Sequence, residues 1–288
     1  MLIVIGWIVV TVCTLGGYAA LGGKLAVLWQ PFEVVIIVGA AIGAYIVANN
    51  KTILKATFRE INVNFKGNKY DKDAYLELLS MLYAVFRTAK TKGWLALEQH
   101  IENPHESELF QQFPAFYNDH HAVTFLCDYL RIISMGSDNA FEIEALMDEE
   151  LEVHHAEQHQ VSSAVQTMAD GMPALGIVAA VLGVIKTMGS ITEPPEVLGK
   201  LIGGALVGTF LGVWLAYGFV GPLASSLKIR HESESKYYTA MKVALLANLQ
   251  GYAPALSVEF ARKTLFSDVR PSFAEVEEAT AAVAAPAQ

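Results

Sequence analysis

Two long stretches at the start of the chain are almost free of polar side chains. Residues 1 to 23 contain no charged side chain, and Leu25 to Asn50 contain a single one, Glu33. Each is long enough to cross a bilayer, since about 20 apolar residues at 1.5 Å rise span a core about 30 Å thick. The first lacks the basic n-region of a secretory signal and the second follows at once, so together they read as a helical hairpin turning near "GGKLA". The pattern returns much later: Gly171 to about Ile191, interrupted by Lys186, and then Leu201 to Leu227 without a charge. "TEPPEVLGK" supplies the turn of this second hairpin.

The remaining segments change period. "AYLELLSMLYAVFRTAK" puts Leu76, Leu79, Tyr83 and Phe86 near one helical face with polar residues opposite. "NAFEIEALMDEELEVHHAEQ" predicts an acidic helix that can run on towards the third span, and "KYYTAMKVALLANLQ" a further helix stopped by Gly251 and Pro254. No alternating β pattern competes, so the expected fold is an all-α membrane protein. Its expected parts are a first transmembrane hairpin (1–50), a large helical domain (51–165), a second hairpin (166–227) and C-terminal helices (228–288). The last of these ends in "ATAAVAAPAQ", whose thin composition predicts disorder.

Composition agrees with membrane residence: 53% of residues are hydrophobic and 17% charged, against about 25% charged in a soluble domain. The net charge of −9 and the lack of a basic patch exclude a nucleic-acid surface. Lys51, Lys55, Arg59, Lys66, Lys69 and Lys72 follow the second span, and Lys228, Arg230 and Lys236 follow the fourth. The opposite turns offer Lys24, Lys186 and Lys200. That bias puts both termini and the domain between the hairpins on the cytoplasmic side, with Lys186 snorkelling outward. Cys13 and Cys127 imply no disulfide framework and read as buried free thiols.

Catalytic chemistry finds no footing. His155 and His159 are one turn apart, but "HHAEQH" fixes no third ligand and reads as a solvated helix face; His120 and His121 point apart. No phosphate loop, nucleophile elbow or Cys/His pair at catalytic spacing occurs, so neither an enzyme nor a cofactor is implied. Gly204, Gly208, Gly212 and Ala216 form a small-residue stripe suited to close helix packing, first within the chain and alternatively around a partner helix. Thr209 is the distinctive polar side chain beside it, and such a hydroxyl ordinarily bonds back to its own helix. Glu33, close to Pro31, is expected at the outer interface where it stays hydrated. Asp170 and Pro173 open the third span. With no carboxylate at the bilayer centre, an ion-conducting role would need an acid from another chain.

"QPFEVVIIVGAAIGAYIVANN", "ENPHESELF", "FEIEALMDEELEVH", "MPALGIVAAVLGVI", "GTFLGVWLAYGFVGPLA", "NLQGYAPALSVEFARKTLFS" and "RPSFAEVEE" together resemble the MotA family of flagellar-motor stator channel subunits, from residue 1 to about 278. The resemblance implies a homo-oligomeric ring, a pentamer, in the bacterial inner membrane around a MotB pair, whose helices supply the missing aspartate. It implies that ion flow is coupled to torque on the rotor protein FliG. By matching motifs, Pro173 and Pro222 take the family's conformational role, and Ala180 and Thr209 face the ion path. Asp170 and Pro173 sit where that path meets the cytoplasm. Alanine at 180, where sodium-driven relatives tend to carry threonine, favours protons. Lys90 and Glu98 correspond to the rotor-contacting charges. The family commonly has arginine at the first, and lysine loses its bidentate fork, so Arg87 and Lys92 are further candidates. The alternatives are an energy transducer of the ExbB/TolQ kind, disfavoured by four spans, and a passive membrane scaffold.

Overall fold

A computed structural model describes residues 2–67, 69–137 and 139–283. The principal helices are α1 (Leu2–Ala20), α2 (Leu25–Ala48), α3 (Lys51–Asn64), α4 (Lys72–Lys92), α5 (His120–Ser134), α6 (Ala140–Met188), α7 (Pro195–Leu249), α8 (Pro254–Lys263) and α9 (Phe273–Ala282). Among the described residues there is no strand, and α1, α2, α6 and α7 are long and apolar enough to cross a membrane. The protein is an all-α, multi-pass membrane protein. It divides into two compact units, Met1–Gly67 with Glu157–Arg230, and Asn68–Ala156 with His231–Gln288.

The first unit holds the four spans. No residue of α1 is buried, and Cys13, expected to be buried, is exposed there. An apolar helix flank left open in a single chain is suited to lipid or to other membrane helices. The small core joins Ile37 and Ala41 of α2, Met172 and Ala179 of α6, and Val207, Leu211 and Ala216 of α7. Below it α3 is tied down by polar contacts. Tyr45 donates to Thr57 at 2.6 Å, Asn64 donates to Ser226 at 3.1 Å, and Arg230 lies 3.3 Å from the Glu60 carboxylate. Asn50 starts α3 by accepting from the Ile53 amide at 2.9 Å, which satisfies an otherwise unpaired donor of the first turn.

In the second unit α4 is the central helix. Leu79 and Phe86 of the anticipated face are fully buried and Leu76 and Tyr83 partly so. Tyr75, Leu78, Met81, Leu82 and Val85 are buried as well, so the apolar face is wider than a surface helix would show. Asp71 caps α4 at the Ala74 amide, and Gly93, at φ +83°, ends it in a backbone conformation that side chains disfavour. At the C-terminus the expected disorder begins too early: α9 extends through Ala282, held by a Ser272–Glu275 capping box and by Lys72, 2.6 Å from Glu275. Residues 284–288 of that segment lie outside the described residues.

Candidate ion path and coupling sites

The third and fourth spans approach until their backbones touch. A Cβ placed on Gly212 would lie 2.7 Å from the Gly176 Cα and 2.7 Å from the Met172 carbonyl oxygen; one on Gly176 would lie 2.8 Å from the Gly208 carbonyl oxygen. One on Gly183 would meet the Ala205 Cβ at 2.6 Å. The stripe of small residues on α7 is therefore consumed inside the chain. Gly208 and Gly212 receive α6, while Gly204 leaves room for the Gln30 side chain, 3.2 Å from where its Cβ would be. The partner glycines on α6, Gly176 and Gly183, escaped the sequence reading because an apolar neighbourhood masks their four-plus-three spacing.

Ala180 and Thr209 flank this seam, and both are half-buried. Thr11 and Thr187 bond back to their own helices at 2.8 and 2.9 Å, but the Thr209 hydroxyl has no hydrogen bond to any described residue. The expectation of a back-bonded hydroxyl does not hold; the group is left available.

Glu33 also departs from expectation. Its Oε2 is shut off from solvent without a hydrogen bond, against Gly208, whose absent Cβ would lie 3.0 Å away. The same point lies 3.1 Å from the Ala180 amide nitrogen. Gly208 is eight positions beyond Lys200, about 12 Å along the helix at 1.5 Å per residue. The missing methyl group of glycine is what admits the carboxylate there.

The two prolines differ. Pro173 is half-buried and α6 runs through it unbroken, although it offers no N–H to the preceding turn. Asp170, one turn earlier, is exposed and accepts from Gln166 Nε2 at 2.8 Å. Pro222 is exposed and immediately follows a π turn, Ala216–Val220, closed by the Gly221 amide donating to the Ala216 carbonyl. A π turn relaxes the ladder where proline would collide with a carbonyl, so the helix is locally loosened on both counts.

In the second unit, Lys90 and Lys92 occupy the last turn of α4 and Glu98 the first turn of the short helix beyond Gly93. Lys90, Lys92 and Glu98 are exposed and Arg87 is half-buried. The Gly93 turn thus gathers two cations and one anion at one end of this unit. Leu95, 76% exposed between them, gave no periodic signal in the sequence.

The N-terminal region, residues 4–93, matches the family model described as Motility protein A N-terminal, and residues 124–240 match the MotA/TolQ/ExbB proton channel family. The chain is 48% identical to Motility protein A of Escherichia coli (strain K12) over 288 residues, covering 100% of this chain and 98% of that one. The chain belongs to the motility protein A family. Chemotaxis protein LafT of Vibrio parahaemolyticus is 33% identical over 274 residues, 95% of this chain and 96% of that protein. Among solved structures, the flagellar MotAB stator complex from Bacillus subtilis aligns with TM-score 0.72 and 27% identity over 89% of this chain and 92% of its own. The C. jejuni MotAB structure aligns with TM-score 0.77 at 21% identity, over 92% and 96%, and shares the fold. The motility protein A N-terminal match covers the first hairpin.

Proposed function

We propose that this chain is a stator subunit of the bacterial flagellar motor, an ion-conducting membrane protein rather than an enzyme. It forms a pentameric ring in the inner membrane around MotB, with both termini cytoplasmic. The observation that carries the reading is the glycine-lined seam of α6 and α7, flanked by Ala180 and the unbonded Thr209 hydroxyl, together with full-length similarity to Motility protein A. MotB brings the aspartate that binds the ion, and the ion is a proton. Asp170 and Pro173 mark the cytoplasmic end of the path, and Pro173 and Pro222 let the two spans change packing. One charge crossing 100 mV releases about 2.3 kcal/mol, enough to shift a two-state packing by more than tenfold. Lys90 and Glu98, with Arg87 and Lys92 beside them, pass that shift to FliG by charge.

Cells expressing the chain with MotB should take up protons, and cells expressing it alone should not. Swimming restored in a strain lacking its own motility protein A should collapse with a protonophore and ignore sodium. Equal uptake with and without MotB would reject the reading, and dependence on external sodium would reverse the ion assignment.

A further inference from the structure

The chain passes between the two units three times, at 67/68, 156/157 and 230/231, so any movement of the spans reaches the second unit through three covalent connections. Within the second unit, side chains next to all three are packed together. Tyr70, just after the first connection, stacks its ring on that of Tyr237 on α7, with centroids 3.9 Å apart and planes 7° apart. Tyr238, the next residue, packs its ring 5.3 Å from that of His154 on α6, just before the second connection. Tyr75 of α4 closes the group. Its ring lies 5.6 Å from that of Tyr237, and its hydroxyl donates at 3.2 Å to the carbonyl of Ser233, just beyond the third connection.

The stack also holds a charge. Asp119 is buried, accepts a hydrogen bond from the Tyr70 hydroxyl and pairs with Lys69 at 2.7 Å. A buried carboxylate is tolerated only with such partners, and losing one leaves its charge uncompensated. Asp119 also caps α5, accepting from the Ala122 amide at 3.4 Å. Both positions proposed to meet the rotor are carried by elements that start from this cluster. α4 runs from beside Tyr75 to Lys90 and Lys92. α5 runs from Asp119 to Arg131, which pairs at 2.7 Å with Glu102 on the short helix that begins at Glu98. Packed helices of this kind carry a displacement from one end to the other.

We infer that Tyr70 and Asp119 are positioning residues for torque: their hydrogen bond clamps the three connections into one piece, so that a movement of the spans turns α4 and α5. Lys90 and Glu98 then follow that movement, and none of it is taken up in the connections. This rests on the stator reading, and the following test separates the two.

Rotation of single motors carrying a bead is followed while the chain and MotB are induced in a strain lacking both, so that speed rises in one step for each stator complex that joins. A residue that only helps the unit fold changes the number of steps; a coupling residue changes the height of each. Tyr70→Phe keeps the ring and its stack and removes the hydroxyl. Asp119→Asn keeps a side chain able to cap α5 and removes the charge. Lys69→Gln alters only an exposed side chain. Loss of a hydrogen bond to an ionised acceptor shifts a packing equilibrium by about tenfold, so step height at high load should fall by about half or more in Tyr70→Phe. MotB co-purification and proton uptake should stay at the wild-type level. Asp119→Asn should lower the steps too, and the double variant should lower them no further than the worse single one, because both changes break one contact. Wild-type step height in Tyr70→Phe, whatever the number of steps, would overturn the inference and leave the stator reading intact. So would a lower height matched by an equal loss of proton uptake, which belongs to the ion path. If neither Tyr70→Phe nor Asp119→Asn co-purifies with MotB, Lys69→Gln decides: lower steps support the clamp and wild-type steps overturn it. A wild-type chain that adds no steps would overturn both readings.

Discussion

Adding a single methyl group at Gly212 should disturb the channel more than the same change elsewhere in the spans. The Cβ of Gly212→Ala would sit 2.7 Å from the Gly176 Cα, 2.7 Å from the Met172 carbonyl oxygen and 3.1 Å from the Gly176 nitrogen. Non-bonded carbon atoms settle at about 3.5–4.0 Å, so α6 and α7 must part by about 1 Å. The opposing atoms are all main chain, and no side chain can swing aside. Overpacking of this kind costs about 1–3 kcal/mol, and 2 kcal/mol corresponds to about a thirtyfold shift in a packing equilibrium. Gly43→Ala is the control: nothing lies within 4 Å of its Cβ position, and alanine in a helix gains up to about 1 kcal/mol over glycine. The two variants should be compared by thermal unfolding of the detergent-purified complex with MotB and by swimming speed. Gly212→Ala should melt lower and swim slower, and Gly43→Ala should melt no lower than the wild type and swim as fast. If Gly212→Ala is as stable and motile as Gly43→Ala, the two spans do not touch as described.

Pro222→Ala should let the helix close its ladder after the π turn, leaving MotB association intact while slowing or stopping rotation; normal swimming would remove Pro222 from the coupling, and the same comparison applies to Pro173→Ala. Lys90→Glu should reduce motility more than Lys90→Ala without abolishing it, since exposed pairs are each worth about 0–1 kcal/mol, and a charge reversal on the rotor should restore part of the loss. Normal swimming by Lys90→Glu with loss in Arg87→Glu or Lys92→Glu would transfer the role to those residues. Glu275 is held down to about 2, first by Lys72 and then by the Ser272 amide and hydroxyl. A depressed folded value gives stability that is present above the ordinary carboxylate range and lost as pH falls through the folded value. Docking of α9 should therefore weaken between about pH 4.5 and 2, seen as faster proteolysis of the C-terminal helix, and Glu275→Gln should remove that dependence.

The spans were legible because an uncharged run of this length has few other uses, and the hairpins followed from the turns that join them. The acidic helix running on through Pro173 was half legible: the sequence permitted continuity, and proline argued for a break. What decides is that an otherwise continuous helix can tolerate one missing donor in a span packed along its length. The π turn at Ala216–Val220 left no trace in hydropathy, because one extra residue in an apolar stretch hardly alters its length and leaves its polarity unchanged. The burial of one Glu33 oxygen was not legible because hydration was judged from the adjacent proline, whereas that oxygen is covered by a glycine on another helix. The charges proposed to meet the rotor were singled out only through family resemblance; their exposure alone does not distinguish them from other surface side chains.

The π turn at Ala216–Val220 also has a bearing on how relatives of this chain should be aligned. Such a turn holds one residue more than the α-helix it interrupts, and each residue advances the helix by about 100°. Leu223, Ala224 and Leu227, which are buried below the turn, are thereby kept on the face that carries Gly204, Gly208 and Gly212 above it. A homologue with a one-residue gap between 216 and 220 would carry the same two faces in a uniform helix, with no rotation of its lower half. The loss of one residue at this point is therefore a change of length rather than of facing, and alignments should concentrate their gaps here instead of spreading them through the span.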